Sequence, residues 1–259
     1  MEKLFKSNLL KLFLILCFFV IFFSSIVNIY EKRSKIIGFI KAKSTPDKYT
    51  YTYSQHNIAK DILKGGYILF FRHGEREKWI DVKMYDSFEA KHNLKAENLY
   101  FSKAVCLNSR GLVQTKMMGS IWKELNIPYH TVITSPSCRA RQTADRVFGG
   151  YNQVKNIFMH FGPYFETNKE FISKVKNEIL KIPQKENSNI IISAHNGVIR
   201  STDIFDEIRT QRDFSQIAKK FMEEGGFIVM KNENNKLVFI DVFFTFHDFQ
   251  LQFQKRPVD

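Results

Sequence analysis

Residues Tyr67–Trp79 read YILFFRHGEREKW, a short apolar and aromatic run that changes abruptly into Arg72-His73-Gly74-Glu75-Arg76. A run of this length and composition predicts a buried β-strand. A strand buried only for packing has no reason to end in Arg and His. We therefore expect the carboxyl end of this strand to face a ligand.

Four further apolar runs predict strands: Thr131–Ser135, Asn189–Ala194, Phe227–Lys231 and Lys236–Phe244. The segments between them show helical spacing: Gly111–Leu125 with Ser109 near its N-cap, Arg139–Val147, and Lys169–Ile182. Strands that alternate with helices favour parallel pairing, with helices packed on both faces of the sheet. The sequence therefore predicts an α/β fold, a three-layer αβα sandwich around a mostly parallel central sheet.

Three of the predicted strands are followed by Arg or His. The first ends in Arg72-His73, the second continues into Pro136-Ser137-Cys138-Arg139, and the third is followed by His195. Parallel sheets form their sites at the carboxyl ends of the strands, so these side chains should meet. The fork of Arg fits phosphoryl oxygens, and imidazole can attack phosphorus. Two Arg and two His there indicate phosphoryl chemistry that needs no metal.

Four sequence blocks resemble the histidine phosphatase superfamily, and more closely its phosphoglycerate-mutase-like branch. They are FRHGE (71–75), LNSRGLVQTKMMG (107–119), TSPSCRARQTA (134–144) and SAHNGVIR (193–200). The blocks follow the family's order. The resemblance implies a metal-independent and cofactor-independent phosphomonoesterase that acts through a phosphohistidine intermediate.

The resemblance also implies roles for individual residues. His73 would be the nucleophile that becomes phosphohistidine, and His195 would stabilise the transferring group. Arg72 and Arg139 would bind the phosphoryl oxygens. Gly74 would allow the backbone to approach closely at the turn.

The proton donor has three candidates. Glu166 lies at about the family's distance beyond Arg139, although an acid there could equally serve the start of the following helix. Glu170, one helical turn later, is its main rival. Glu75, directly after the RHG motif, is the third. One carboxyl group can protonate the leaving alcohol and later take a proton from water.

Some residues depart from the branch's usual pattern. After RHGE the branch usually has a polar pair and an Asn near the pocket, but here Arg76-Glu77-Lys78-Trp79 follows. Arg76 and Lys78 either contact a second anionic group of the substrate or belong to a solvated loop. Asn196 follows the second His, so the His-Asp donor of the acid-phosphatase branch is missing. The pair His247-Asp248 lies beyond the matching blocks, and we expect it to be unrelated to the site.

The N-terminus predicts a membrane segment. The run Leu12–Ile29 carries no charge and is just long enough to cross a bilayer. An uncleaved signal anchor over 1–30 is favoured over a cleaved signal peptide, because no small-residue cleavage pattern follows. Residues 31–50 form a basic linker and residues 51–259 the phosphatase domain. A strict count of positive charge would put the C-terminal flank inside, whereas a short basic N-terminus before one apolar run is typical of exported proteins. Between these alternatives, we expect a single-pass protein whose catalytic domain is exported.

The charge and the cysteines limit the function classes. The net charge is +13, but the first 44 residues hold eight Lys and Arg against two acids, so nucleic acid is not expected as a partner. Cys106 and Cys138 could pair in an oxidising compartment, and the default expectation is two free or buried thiols. No spacing indicates a zinc site.

The predicted substrate is a phosphorylated cell-envelope glycan or another phosphosugar or small molecule. Two alternatives are a phosphoglycerate-mutase-type phosphotransferase and a catalytically silent phosphate-binding module. The membrane anchor argues against the mutase, and the intact Arg/His set argues against the silent module.

Overall fold

The computed structural model describes residues 57–77, 82–92, 95–98, 105–159, 167–199, 202–210 and 222–254. The predicted anchor and linker, 1–50, lie outside these ranges, as does Glu166. Within the ranges, no helix combines the length and the apolar character needed to span a bilayer.

Seven strands form one sheet: β1 Ile68–Arg72, β2 Tyr129–Thr134, β3 Gln153–Val154, β4 Asn189–Ala194, β5 Glu207–Ile208, β6 Phe227–Glu233 and β7 Lys236–Phe243. Their order is β3-β2-β4-β1-β6-β7-β5. Among these strands, β6 is antiparallel to both of its neighbours, β1 and β7, and the other adjacent pairs are parallel. The predicted mostly parallel sheet is confirmed.

Six α-helices accompany the sheet in the part of the chain that the structure describes: α1 Ile58–Asp61, α2 Val82–His92, α3 Ser109–Glu124, α4 Cys138–Phe148, α5 Asn168–Leu180 and α6 Phe246–Gln254. The three predicted helices correspond to α3, α4 and α5. The N-cap of α3 is Asn108 rather than Ser109, because the Asn108 side chain accepts the Gly111 N–H at 2.8 Å.

Both faces of the sheet are covered, which makes three layers. Along β1, Ile68 and Phe70 point to a core that contains the apolar face of α5. Leu69 and Phe71 point to a second core formed with α1, α3, α4 and α6. This double burial explains why β1 reads as a continuous apolar run rather than as an alternating one.

Strand register places the motif residues together. In the β1–β4 pair, Arg72 lies opposite Ala194. The pairing extends one residue further, because the His73 backbone N–H donates to the Ala194 carbonyl at 3.0 Å. The Ser135 N–H likewise donates to the Ser193 carbonyl at 3.0 Å. The ends of β1, β4 and β2 therefore lie side by side.

Candidate active site

His73 is buried and oriented by its own turn. Its Nδ1 lies 2.7 Å from the Gly74 carbonyl oxygen, which can only accept, so Nδ1 carries the proton and Nε2 keeps a lone pair. Burial and the Arg139 charge lower the His73 pKa well below its ordinary value, although the bond to Gly74 opposes them; Arg72 and Arg76 lower it further. His73 is therefore a neutral imidazole near neutral pH.

His195 lies beside His73, with ring centroids 5.2 Å apart. Its Nε2 lies 2.9 Å from the Ser135 hydroxyl and 3.1 Å from the Ser137 hydroxyl. Its Nδ1 lies 3.3 Å from Nη2 of Arg139. Because guanidinium only donates, Nδ1 of His195 accepts, and the proton of a neutral ring sits on Nε2 and is donated to the serines.

Ser135 and Ser137 were not among the predicted site residues. Both lie in the block TSPSCRARQTA, which was the available signal. Ser137 occupies the N-cap position of α4 without making a side-chain cap bond. Its hydroxyl contacts His195 and Ser135 instead, so a position that usually stabilises a helix serves the site here.

Arg72 is held by the segment that precedes β6. Its Nη1 donates to the Met222 carbonyl at 2.6 Å, and its Nη2 pairs with the Glu224 carboxylate at 2.9 Å. Arg72 is half-buried, with 23% of its side chain exposed. No sequence pattern indicated Glu224, which is far from β1 along the chain.

Arg139 lies in the first turn of α4 and is fully buried, at 1% exposure. Both terminal nitrogens bind the Asp86 carboxylate of α2, at 2.8 and 2.7 Å. Neither α2 nor Asp86 was predicted. Arg139 is thus brought to His195 and fixed there by a carboxylate from another element.

Gly74 and Arg76 follow His73 in the chain. The Gly74 N–H donates to the Thr143 hydroxyl at 2.9 Å, and a Cβ at Gly74 would lie 2.7 Å from Cγ2 of Thr115. The close approach that this glycine allows is therefore to α3 and α4. Arg76 is half-buried, forms a β-bridge with Leu107 and donates to the carbonyl of the next residue.

The two rival proton donors both have ion-pair partners. Glu75 pairs with Arg110 at 2.7 Å and accepts from the Asn108 side chain at 3.1 Å. Glu170, in the first turn of α5, pairs with Lys174. Glu166 lies outside the described residues, and its role as the acid stays a prediction.

Arg141 has a structural environment. It donates to the Pro136 carbonyl at 2.9 Å and pairs with the Glu89 and Glu97 carboxylates at 2.8 and 2.6 Å. These bonds connect α4 to the segment 89–97. Arg141 thus holds α4 to that segment.

Cys106 and Cys138 form a disulfide, so the default expectation of two free or buried thiols is wrong. Cys138 directly precedes Arg139 at the start of α4. The Glu97 carboxylate lies within 4.8 Å of both sulfurs, but a disulfide offers no thiolate to ligate a metal.

The pair His247-Asp248 belongs to the start of α6. The Asp248 carboxylate accepts the Thr245 N–H at 2.8 Å, and the Thr245 hydroxyl accepts the Asp248 N–H at 3.0 Å. This reciprocal arrangement caps the helix. The exposed His247 and the capping Asp248 are explained without any role in the site.

No protein-family model matches the sequence, and no curated protein matches it. Similar solved structures include the protein histidine phosphatase SixA with tungstate, at TM-score 0.45 and 12% identity, covering 68% of this chain and 96% of that one. Another is a phosphoserine phosphatase mutant from Entamoeba histolytica with phosphoserine (TM-score 0.43, 13% identity, 68% and 95% covered).

A third is the alpha-ribazole phosphatase from Shigella flexneri (TM-score 0.42, 15% identity, 67% of this chain and 94% of that one). Identities this low leave the chemistry to be argued from this chain's own side chains. In the residues and the order of its four motif blocks, the chain resembles the histidine phosphatase superfamily.

Proposed function

We propose that the chain is a phosphomonoesterase that works through a phosphohistidine at His73. The observation that carries this proposal is the state of His73: buried and neutral, with Nδ1–H bound to the Gly74 carbonyl and the Nε2 lone pair available. A histidine kept for packing or for metal binding has no need of arginines around it. Three cations lowering its pKa suit a nucleophile that must meet a phosphate dianion.

The proposed reaction has two displacements. Nε2 of His73 forms a bond to phosphorus as the ester P–O bond breaks, and an acid gives its proton to the leaving oxygen. Water then attacks the phosphohistidine, the N–P bond breaks and inorganic phosphate leaves, while the same carboxylate takes the proton from the water. Glu166 is the proposed acid.

The arginines and His195 stabilise the charge that moves during transfer. Arg72 and Arg139 supply fork donors, which fit phosphoryl oxygens better than a point charge does. His195 contributes through the ring edge near Arg139, since its other nitrogen is bound to Ser135 and Ser137. Fixed donors of this kind need little reorganisation during the reaction.

We also propose that the catalytic domain is exported and anchored by Leu12–Ile29, and that it acts on a phosphorylated cell-envelope glycan or a related phosphosugar. The uncharged run supports the anchor. The disulfide Cys106–Cys138 supports an oxidising compartment, because such bonds are rare in reducing cytosol. Arg76, beside the nucleophile, supports a substrate with additional negative charge.

The test is hydrolysis of p-nitrophenyl phosphate by the full chain in detergent. His73→Ala should lower turnover more than about a thousandfold, as removal of a nucleophile does. The matched control is His247→Ala, which removes an exposed histidine from α6 and should keep wild-type turnover. Wild-type turnover by a folded His73→Ala variant would exclude the phosphohistidine route.

A further inference from the structure

Helix α2 places two acids on the arginines of α4. Asp86 and Glu89 are three residues apart and therefore lie on the same face of α2. Asp86 binds Arg139, and Glu89 pairs with Arg141 at 2.8 Å. Asp86 and Glu89 are both buried, at 2% and 3% exposure. A carboxylate is retained at such depth only when it is paired, so these contacts are built into the fold.

The bonds of Arg139 show which of its edges is occupied. Asp86 takes one proton from each terminal nitrogen, Nη1 at 2.8 Å and Nη2 at 2.7 Å. The second proton of Nη2 is directed to Nδ1 of His195 at 3.3 Å. The Nε–H is buried and has no hydrogen-bond partner in the described structure. Guanidinium has five donors in a fixed plane, so filling one edge fixes the direction of the others.

An unpaired N–H buried in a protein is costly, and such a group calls for an explanation. Here the unpaired Nε is on the same side chain as Nη2, which already reaches His195. A phosphoryl group beside His195 has several acceptor oxygens. One of its oxygens would satisfy the unpaired Nε–H, and another would share the Nη2 proton that reaches His195 at 3.3 Å.

We propose that Asp86 is a positioning residue for phosphoryl binding: it holds the outer edge of Arg139 so that Nε and Nη2 are presented beside His195. This inference rests on the proposed function, because it assigns the ligand of that edge to the phosphoryl group. Arg139 has a long side chain with many rotamers, and a bidentate partner removes that freedom before substrate arrives. Asp86 does not touch the substrate.

The competing account is that Asp86 occupies the place of the phosphoryl group and is displaced by it. The two accounts predict opposite effects when the carboxylate is removed. A displaced occupant would compete with oxyanions, so its loss would tighten their binding. A positioning residue prepares Arg139, so its loss weakens their binding.

The experiment measures tungstate affinity by calorimetry and the kcat and KM for p-nitrophenyl phosphate, using the full chain in detergent. Asp86→Asn keeps the size of the side chain but removes the charge and one acceptor. We expect tungstate binding and kcat/KM to fall about 100-fold, the effect of a small misplacement of a reacting group. Unchanged or tighter tungstate binding would overturn the proposal.

The matched control is Glu97→Gln, which removes another carboxylate paired with an α4 arginine, but one bound to Arg141. It should keep the wild-type tungstate affinity, and an equal loss there would mean that any disturbance of α4 has the same effect. If Asp86→Asn does not fold, Asp86→Glu decides, because it keeps the ion pair and moves Arg139. We expect its tungstate affinity to be about tenfold weaker; wild-type affinity would contradict the proposal.

The outcomes separate this proposal from the proposed function. A wild-type chain that neither binds tungstate nor hydrolyses the ester would remove both. A wild-type chain that does both, with Asp86 variants that match it, would remove only the role of Asp86.

Discussion

At the scale of the residue, the His73 ring donates a hydrogen bond from Nδ1 and lies in surroundings that disfavour a second proton on the ring. The bond to Gly74 fixes the tautomer, and burial with the nearby arginines keeps the ring unprotonated. These two effects act on different nitrogens. The imidazole of His73 is therefore both oriented and unprotonated in this structure, as the proposed nucleophile would have to be.

This arrangement predicts the acid side of the pH profile. The His73 pKa is lowered from its ordinary value of 6.5, so the reactive neutral form persists to more acidic pH. We expect kcat/KM for p-nitrophenyl phosphate to stay high as the pH falls through 6.5 and to decline only below it. A half-maximal point at or above 6.5, assigned to the free enzyme, would contradict the depressed pKa.

A site residue could be predicted from the sequence only where it stands in a recognisable motif. His73, Arg72, Arg139 and His195 follow strands in recognisable blocks, and the structure brings them together. Asp86 belongs to no such block. A buried acid and a solvated acid look alike in sequence, and only the partner across the fold distinguishes them.

At the scale of the element, the strands were predicted closely because both faces of the sheet are buried. The edge strands β3 and β5 have two residues each and are exposed, so they carry no apolar signal. Helix α2 carries many charged residues and was missed. Its buried face is acidic rather than apolar where it meets the arginines, so hydrophobic periodicity could not detect it.

The crossing of α3 and α4 depends on a glycine. A Cβ at Gly119 would lie 2.3 Å from the backbone oxygen of Arg146, an atom that cannot move without shifting α4. Alanine favours an isolated helix more than glycine does, but the clash should outweigh that gain. We expect Gly119→Ala to lower the free energy of unfolding by about 1–3 kcal/mol, measured by urea denaturation.

The control for this prediction is Ser120→Ala, at the next and exposed position of α3. It should change the free energy of unfolding by less than about 0.5 kcal/mol. Equal or greater stability of Gly119→Ala would show that the two helices have room to separate.

At the scale of the whole molecule, the site is assembled from distant parts of the chain. Residues near 72, 86, 139, 195 and 224 meet at the carboxyl ends of β1, β2 and β4. The α/β pattern predicted where this meeting occurs. It could not predict the strand order or the carboxylates that hold the arginines, since both depend on contacts between segments far apart in sequence.

The disulfide gives a prediction about the compartment of the whole domain. Because Cys106 and Cys138 are both buried, the alkylation is done on protein denatured in acid directly from the cells. If the domain is exported, the two cysteines should then react only after a reductant is added, as shown by mass spectrometry of the purified chain. Cys17→Ser is the background, so that only the two domain cysteines are counted. In that background and under the same denaturing conditions, Cys106→Ser should leave Cys138 open to alkylation without reductant. Alkylation of both cysteines before reduction would place the domain in a reducing compartment.

The register of β1 against β4 has a consequence for how this chain can change length. Because Arg72 pairs with Ala194, His73 and His195 each follow directly after the last paired residue of their strand. Inserting a single residue within β4 would turn its side chains to the opposite face and carry His195 away from His73. Insertions at the Asn234-Asn235 turn between β6 and β7 would leave that alignment alone. Evolution and engineering can therefore lengthen this one turn without moving the two histidines, while the lengths of β1 and β4 are fixed by the alignment of the residues at their ends.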